Sequence, residues 1–325
     1  MPDKISFQNV LDHLLDSKKD FPQSHLKFYS DLDPKSLKLF LDVWTRVQPP
    51  RKLILLDALL SQLEADTIVY YEDIGRALLD DPNGEVRARA IRLLVESDDP
   101  KLAGKLIDIF LNDTDLAPRM EAAQLLGEFI LLGELEKVKE DQQRKIEDAL
   151  IMVVRSEDNP TLRKRALESL SFSSRPEIAA LIESAFERTD PAWKASALRA
   201  MGRSHDERWS EEVVSMLLDE DPLIKFAAIE AAGQLIIEEA VPILLQILDD
   251  EEEDDDVAAA AIWSLSQIGG DEARIYLVAL IEQTEDEDLV EFLEDALENL
   301  NFTEELNKFD LLTLDEGDIE IDEDE

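Results

Sequence analysis

The chain of 325 residues is 45% hydrophobic, carries 76 acids against 33 bases for a net charge of −43, and contains no cysteine. The hydrophobic share supports a core; the missing thiols exclude disulfides and thiolate metal sites and fit a reducing, cytoplasmic setting; the acidic field argues against nucleic-acid and anionic-membrane partners. No apolar run approaches the roughly 20 residues of a membrane helix, and acids inside MPDKISFQNVLDHLLD argue against a signal peptide.

Residues 1–32 read as an N-terminal capping region. SFQNVLDHLLDS (6–17) predicts a helix with Ser6 as N-cap and Val10, Leu11, Leu14 and Leu15 on one side. A helix pair follows in degenerate form, DPKSLKLFLDVWTRV (33–47) and PPRKLILLDALLSQL (49–63).

From residue 66 to 300 the chain repeats itself. DPNGEVRARAIRLL (81–94) and DPLIKFAAIEAAGQ (221–234) share one pattern, and aligning on its first cation gives anchors Arg87, Arg119, Arg163, Lys194, Lys225, Ala258 and Val290. Their spacings are 32, 44, 31, 31, 33 and 32, so one period near 32 holds with a single surplus. The surplus is GELEKVKEDQQR (133–144), a loop insertion or a helix extension.

Each column has a physical reading. Four residues before the anchor stand Asn83, Asp115, Asn159, Asp190, Asp221, Asp254 and Asp286, which suit N-caps. Pro160, Pro191 and Pro222 follow three of them, where a missing amide costs nothing. Offsets −1, +3 and +7 form one apolar face, such as Val86, Ala90 and Leu94. Offset +8 is small: Gly127, Ser171, Gly202, Gly233 and Ser266. A second helix precedes each cap, as in KLAGKLIDIFLND (101–113) or PEIAALIESAFER (176–188). A lone helix pair cannot bury its apolar face, whereas stacked pairs can. The expected fold is therefore all-α, a right-handed α-solenoid of about seven to eight helix pairs spanning 33–302.

The chain ends in acid. Residues 249–325 hold 30 acids against Arg274 and Lys308, a net −28. Residues 303–325 read as an acidic tail whose last stretch, DEGDIEIDEDE, should be disordered alone. LNKFDLLTLDEG (306–317) mixes apolar residues into it, which suits a docking segment, and a regulatory fold-back onto the Arg-rich middle repeats is expected on that ground.

Helix starts such as DNPTLRKRALESL (158–170), DPAWKASALRAMG (190–202) and AAIWSLSQIGG (260–270) carry a resemblance. The chain resembles the HEAT-repeat family, especially the short bacterial variety named after phycobilisome lyases, over about residues 66–300. The resemblance implies a binding scaffold. It also implies an alternative, a lyase-like factor acting on a bilin or its carrier protein. Some HEAT-like arrays are DNA glycosylases, but those need a basic face that this chain does not offer.

The candidate residues divide by column. Arg87, Arg119, Arg163, Lys194 and Lys225 form a cation row; it is either a strip for an acidic partner or phosphate, or a structural ladder onto the cap acids of adjacent turns, and the ladder is favoured. Arg89, Arg92, Arg165, Arg199 and Arg203 fit a ladder less well and are assigned to partner binding, together with Trp263 in an exposed column. DDEEEDDD (249–256) lacks the glycine and ligand spacing of a calcium loop. Ser204, His205 and Asp206 are neighbours in sequence and cannot form a triad. DDPNGE (80–85) reads as a turn and a cap, and His13, His25 and His205 as dispersed. The expectation is a non-enzymatic scaffold for a basic or mixed-charge protein, with no cofactor and no metal.

Overall fold

The computed structural model describes residues 6–18, 21–250 and 252–315, the last ten of these as backbone. The end of the acidic tail, residues 316–325, and the side chains of the expected docking segment lie outside the described residues. Among the described residues there are seventeen α-helices, three short 3₁₀ segments and no strand. The chain forms two compact units, residues 1–173 and 174–325.

The first unit holds α1 (Phe7–Leu15), α2 (Pro34–Trp44), α3 (Pro49–Ala65), α4 (Glu72–Leu78), α5 (Gly84–Arg92), α6 (Lys101–Asn112), α7 (Leu116–Glu134), α8 (Glu140–Val154) and α9 (Pro160–Leu170). The second holds α10 (Pro176–Phe186), α11 (Pro191–Arg203), α12 (Ser210–Met216), α13 (Pro222–Gln234), α14 (Val241–Leu248), α15 (Asp255–Ile268), α16 (Asp271–Gln283) and α17 (Glu287–Asp315). After α1 the helices fall into pairs. The second helix of each pair packs on the second helix of the next, α3 on α5 on α7 on α9 in one unit and α11 on α13 on α15 on α17 in the other.

Caps decide where the second helices begin. Side-chain oxygens of Asn83, Asn159, Asp190, Asp221, Asp254 and Asp286 accept from backbone amides two or three residues on, satisfying donors that the first turn leaves free. Asp115 makes no such bond, because its carboxylate accepts from Arg87 at 2.9 Å instead. Ser6 caps α1 through the Asn9 amide, and Val10, Leu11 and Leu14 below it are buried.

The core follows the columns. Val86, Ala90, Leu94, Leu162, Ala166 and Leu170 are fully buried, and so are Ala197, Met201, Ala228 and Ala232. The last repeat keeps this face only in part: Leu293 at +3 is buried, but Leu289 at −1 is 39% exposed, and Ala296 and Leu300 are buried beside Leu293. Among the described residues α17 packs on α15 and α16. The helix also runs beyond Phe302, where the sequence pattern ends, to Asp315. Glu304 accepts from Arg274 at 2.8 Å and so belongs to the folded unit. The surplus of 133–144 lengthens two helices, ending α7 at Glu134 and opening α8 at Glu140.

Candidate functional site

Three members of the cation column, Arg87, Arg119 and Lys225, reach carboxylates that precede the next second helix. Arg87 donates to Asp113 at 2.6 and 2.8 Å and to Asp115 at 2.9 Å, both just ahead of the next helix. Arg119 grips Asp158 with two bonds of 2.5 and 3.2 Å and donates its Nε to the Phe110 carbonyl. Lys225 Nζ lies 2.9 Å from Glu253. Arg163 Nε donates to the Val154 carbonyl, and Lys194 lies over the Phe186 ring at 5.5 Å. These charge-assisted bonds offset the cost of drawing carboxylates into inter-helix turns. Burial pushes the Asp113 carboxyl up, but the Arg87 bonds outweigh it and hold the group below its ordinary range. Asp158 is held down first by its bond to Arg119.

Offsets +2 and +5 line open grooves rather than turns. The two columns meet across neighbouring repeats: Trp263 at +5 stacks on Phe292 at +2, ring centroids 6.4 Å apart. Arg92 at +5 acts electrostatically on Glu121 at +2 of the next repeat.

In the first unit a groove of about 670 Å³ runs over α3, α5 and α7. Leu60, Leu63, Ile91 and Leu125 form its apolar part, with Glu64, Glu96, Glu121 and Glu128 around them. Arg92 lines it and sits 3.7 Å from Glu64. Arg89 is committed to Asp57 at 2.6 Å and Glu85 at 2.7 Å, and Arg165 lies 3.5 Å from Glu168. Burial raises the Glu121 carboxyl, and the fields of Arg92, Arg165 and Arg89 only partly oppose it. Sequence reasoning passed over Glu121. Its signal was confined to the first three repeats, where offset +2 reads Arg89, Glu121, Arg165, an acid between two cations.

In the second unit a groove of about 810 Å³ is lined by Arg199, Leu223, Phe226, Glu230 and Trp263. Trp263 is 41% and Leu223 53% exposed. Arg199 reaches Glu230 at 3.6 Å. Arg203 closes α11 and is not among the residues that line this groove.

Two readings of small segments need correction. Asp81 does more than shape a turn. It is 7% exposed and accepts from Trp44 Nε1 at 2.7 Å, Lys52 Nζ at 2.9 Å and the Asn83 amide at 2.9 Å. The histidines are not all dispersed either. His13 and His25 meet edge to face with ring centroids 4.8 Å apart, because the 3₁₀ turn Gln23–Tyr29 folds back beside α1. No group of three or more potential ligands could hold a metal among the described residues. His205 stands between helices with φ of 49°, its Nδ1 3.2 Å from the Gln234 carbonyl. Within 249–256, Asp254 caps α15 and Glu253 pairs with Lys225, which accounts for part of the acidic run.

The histidine pair carries a pH prediction. His25 is 5% exposed and its Nδ1 has no hydrogen-bond partner among the described residues. Burial first, and the His13 charge second, lower its pKa below the ordinary 6.5. Arg51, which donates to the His13 carbonyl at 3.1 Å and lies over the Phe21 ring, adds a further nearby cation. The unfolded chain therefore takes up the proton first. The stability associated with neutral His25 is complete above about pH 6.5 and is lost as pH falls toward the folded value. His25→Phe should flatten the pH dependence of the urea midpoint between about pH 7 and 5; an unchanged slope would show that His25 does not set it.

A model of HEAT repeats matches residues 72–171, 178–256 and 211–298. None of the curated proteins matches the chain by sequence. Among solved structures the chain is similar to the complex of CpcE and CpcF of phycocyanin lyase from Nostoc sp. PCC7120. That likeness has 18% identity and a TM-score of 0.47, over 70% of this chain and 94% of that one. It is similar to YibA of E. coli at 14% identity and a TM-score of 0.44, over 87% of this chain and 97% of the other. It is also similar to Kap121p bound to Ste12p at 12% identity and a TM-score of 0.46, over 91% of this chain and 37% of Kap121p.

Proposed function

The chain belongs to the HEAT-repeat family, and from that premise we propose that it is a non-enzymatic scaffold that holds a basic or mixed-charge protein partner along its second helices. Repeats that bury their apolar faces by stacking leave one extended side of each helix row open, and families of this kind use that side for binding. The observation that carries the reading is the Trp263 groove. An exposed indole stacked on Phe292, beside Phe226, Leu223 and an Arg199–Glu230 pair, has the composition of an interface centre with a polar border. Arg199 and Trp263 belong to this groove; Arg89, Arg92 and Arg165 belong to the first unit's groove and its border. No helix among the described residues is long and apolar enough to cross a membrane.

The test is affinity capture from a cell lysate at low and high salt, read by mass spectrometry. It uses the full chain, Trp263→Ala, and a chain ending at residue 315. A partner retained at high salt with the full chain and lost with Trp263→Ala is the expected result. A central aromatic anchor is worth about 2 kcal/mol or more, roughly a thirtyfold loss of affinity. Recovery of only salt-sensitive basic proteins, indifferent to Trp263, would overturn the reading. A shifted absorption band on bilin titration would replace it with the lyase-like one.

A further inference from the structure

We propose that the groove over α3, α5 and α7 is a docking site for a cationic amphipathic peptide segment. An arginine or lysine stem lies on Leu60, Leu63 and Val95, and its head group meets Glu121 and Glu128. The inference rests on the scaffold reading and deepens it, naming a second groove and the chemistry of what fills it.

Charge complementarity selects the occupant. Four glutamates and a single arginine line the groove. The other nearby arginines are engaged elsewhere, Arg89 with Asp57 and Glu85, Arg165 with Glu168. An acidic or phosphorylated segment would meet uncompensated like charge, and a second copy of this chain brings a net −43 with it. A purely apolar segment would cover the leucines but bury the glutamates without a counter-charge, which costs more than the apolar contact returns. Long cationic side chains meet both demands at once, because their methylene stems pack on apolar surface while the head stays polar.

Two features mark where the head group goes. Glu121 is half-buried and makes no hydrogen bond or ion pair among the described residues; Arg92, Arg165 and Arg89 act on its carboxylate only through their fields. An arriving cation supplies what it lacks. Arg92 is the resident competitor: it spans from α5 toward α3 but reaches Glu64 only at 3.7 Å, a loose contact easily exchanged. Val95, 51% exposed at the edge, extends the apolar floor outward. A volume of about 670 Å³ admits one or two such side chains rather than a whole domain.

The experiment is fluorescence anisotropy on the full-length protein at neutral pH and physiological salt. The probe is a labelled four-turn helical peptide with leucine on one face and arginine on the other. Controls are the same peptide with glutamate for arginine, and an arginine–glycine peptide of equal charge without leucine. The amphipathic cationic peptide should bind and both controls should bind at least about tenfold more weakly. Glu121→Gln with Glu128→Gln should weaken binding about tenfold. The equal charge change at Glu238→Gln with Glu239→Gln, in the other unit, should alter it by less than about twofold, since it changes only the bulk field. Arg92→Gln should tighten binding about threefold by removing the competitor. Circular dichroism melts confirm that each variant is folded, and Glu128→Gln alone serves if Glu121→Gln is not. Equal effects of the two double substitutions would overturn the groove and leave the scaffold reading standing. So would absence of peptide binding while the Trp263-dependent partner is still captured. Failure of both experiments would remove the scaffold reading as well.

Discussion

Asp81→Ala is expected to destabilise the first unit by about 3–5 kcal/mol, the range for removing one member of a buried ion pair. The side chains of Lys52 and Asp81 are only 11% and 3% exposed, and they meet at 2.9 Å. Lys52 Nζ also lies 4.7 Å above the Trp44 ring, so the ammonium is held by a carboxylate on one side and an aromatic face on another. Alanine leaves that ammonium without its counter-charge, and leaves the Trp44 Nε1 and Asn83 amide donors unpaired. The damage should reach beyond the site, because the three donors come from α2, α3 and the entry to α5. Urea unfolding combined with hydrogen exchange over residues 34–92 measures it. Lys52→Met added to Asp81→Ala should recover part of the loss, because methionine fills the lysine stem's space and removes the uncompensated charge, while the Trp44 and Asn83 donors stay unpaired. A loss under about 1 kcal/mol for Asp81→Ala would mean that water reaches the pair and the burial argument fails. The pair also predicts an acid limit. Burial raises Asp81, but the Asn83 amide, Lys52 and Trp44 together depress it, so its contribution is full above the ordinary carboxylate pKa and lost as pH falls through the folded value.

What could be read from residue types was whatever a single repeat decides for itself. A cap needs one side-chain oxygen four residues before the anchor, so Asn83 and Asp254 announce their helices without reference to any neighbour. Alanine at +3 is buried in every repeat that has it, because that position faces the adjacent second helix. The grooves were less legible because each is built from two repeats. Glu121 matters through Arg92 and the α3 leucines, and Trp263 through Phe292, pairings that depend on how far one helix row is offset against the next. Aligning column +5 of one repeat with column +2 of its successor would have paired them. The N-terminal region was the least legible, since it lies outside the period. Nothing local says that His13 meets His25, or that a turn aspartate at 81 closes over Lys52 and Trp44.

The offset of the rows rests on the small +8 column, and two glycines should show it by responding in opposite directions. A Cβ built on Gly233 would lie 2.8 Å from Ser264 Cα and 2.9 Å from Ser264 Cβ, so α13 and α15 touch there with no room for a methyl group. Gln267 Oε1 lies nearer still but ends a flexible side chain, whereas Ser264 Cα is backbone and cannot rotate away. Separating the helices would also stretch the buried bond from Ser264 Oγ to the Ile229 carbonyl, 2.8 Å in the native packing. Gly233→Val should therefore cost about 3 kcal/mol, at the upper end for overpacking, because valine adds bulk without the helix-propensity gain of alanine. Gly104, on the exposed face of α6, has nothing within 4 Å of its Cβ position. Gly104→Ala should stabilise by about 0.5–1 kcal/mol, the usual gain from removing a glycine inside a helix. Because the chain forms two compact units, local hydrogen exchange is a better readout than a single melting temperature. Gly233→Val should raise exchange across 222–268 and leave 101–112 unchanged, while Gly104→Ala should slow exchange in α6 alone. Native-like exchange in Gly233→Val would mean that the rows can part by the width of a methyl group. The grooves would then have no fixed spacing between column +5 and column +2, and the Trp263–Phe292 stack could not be a preformed anchor.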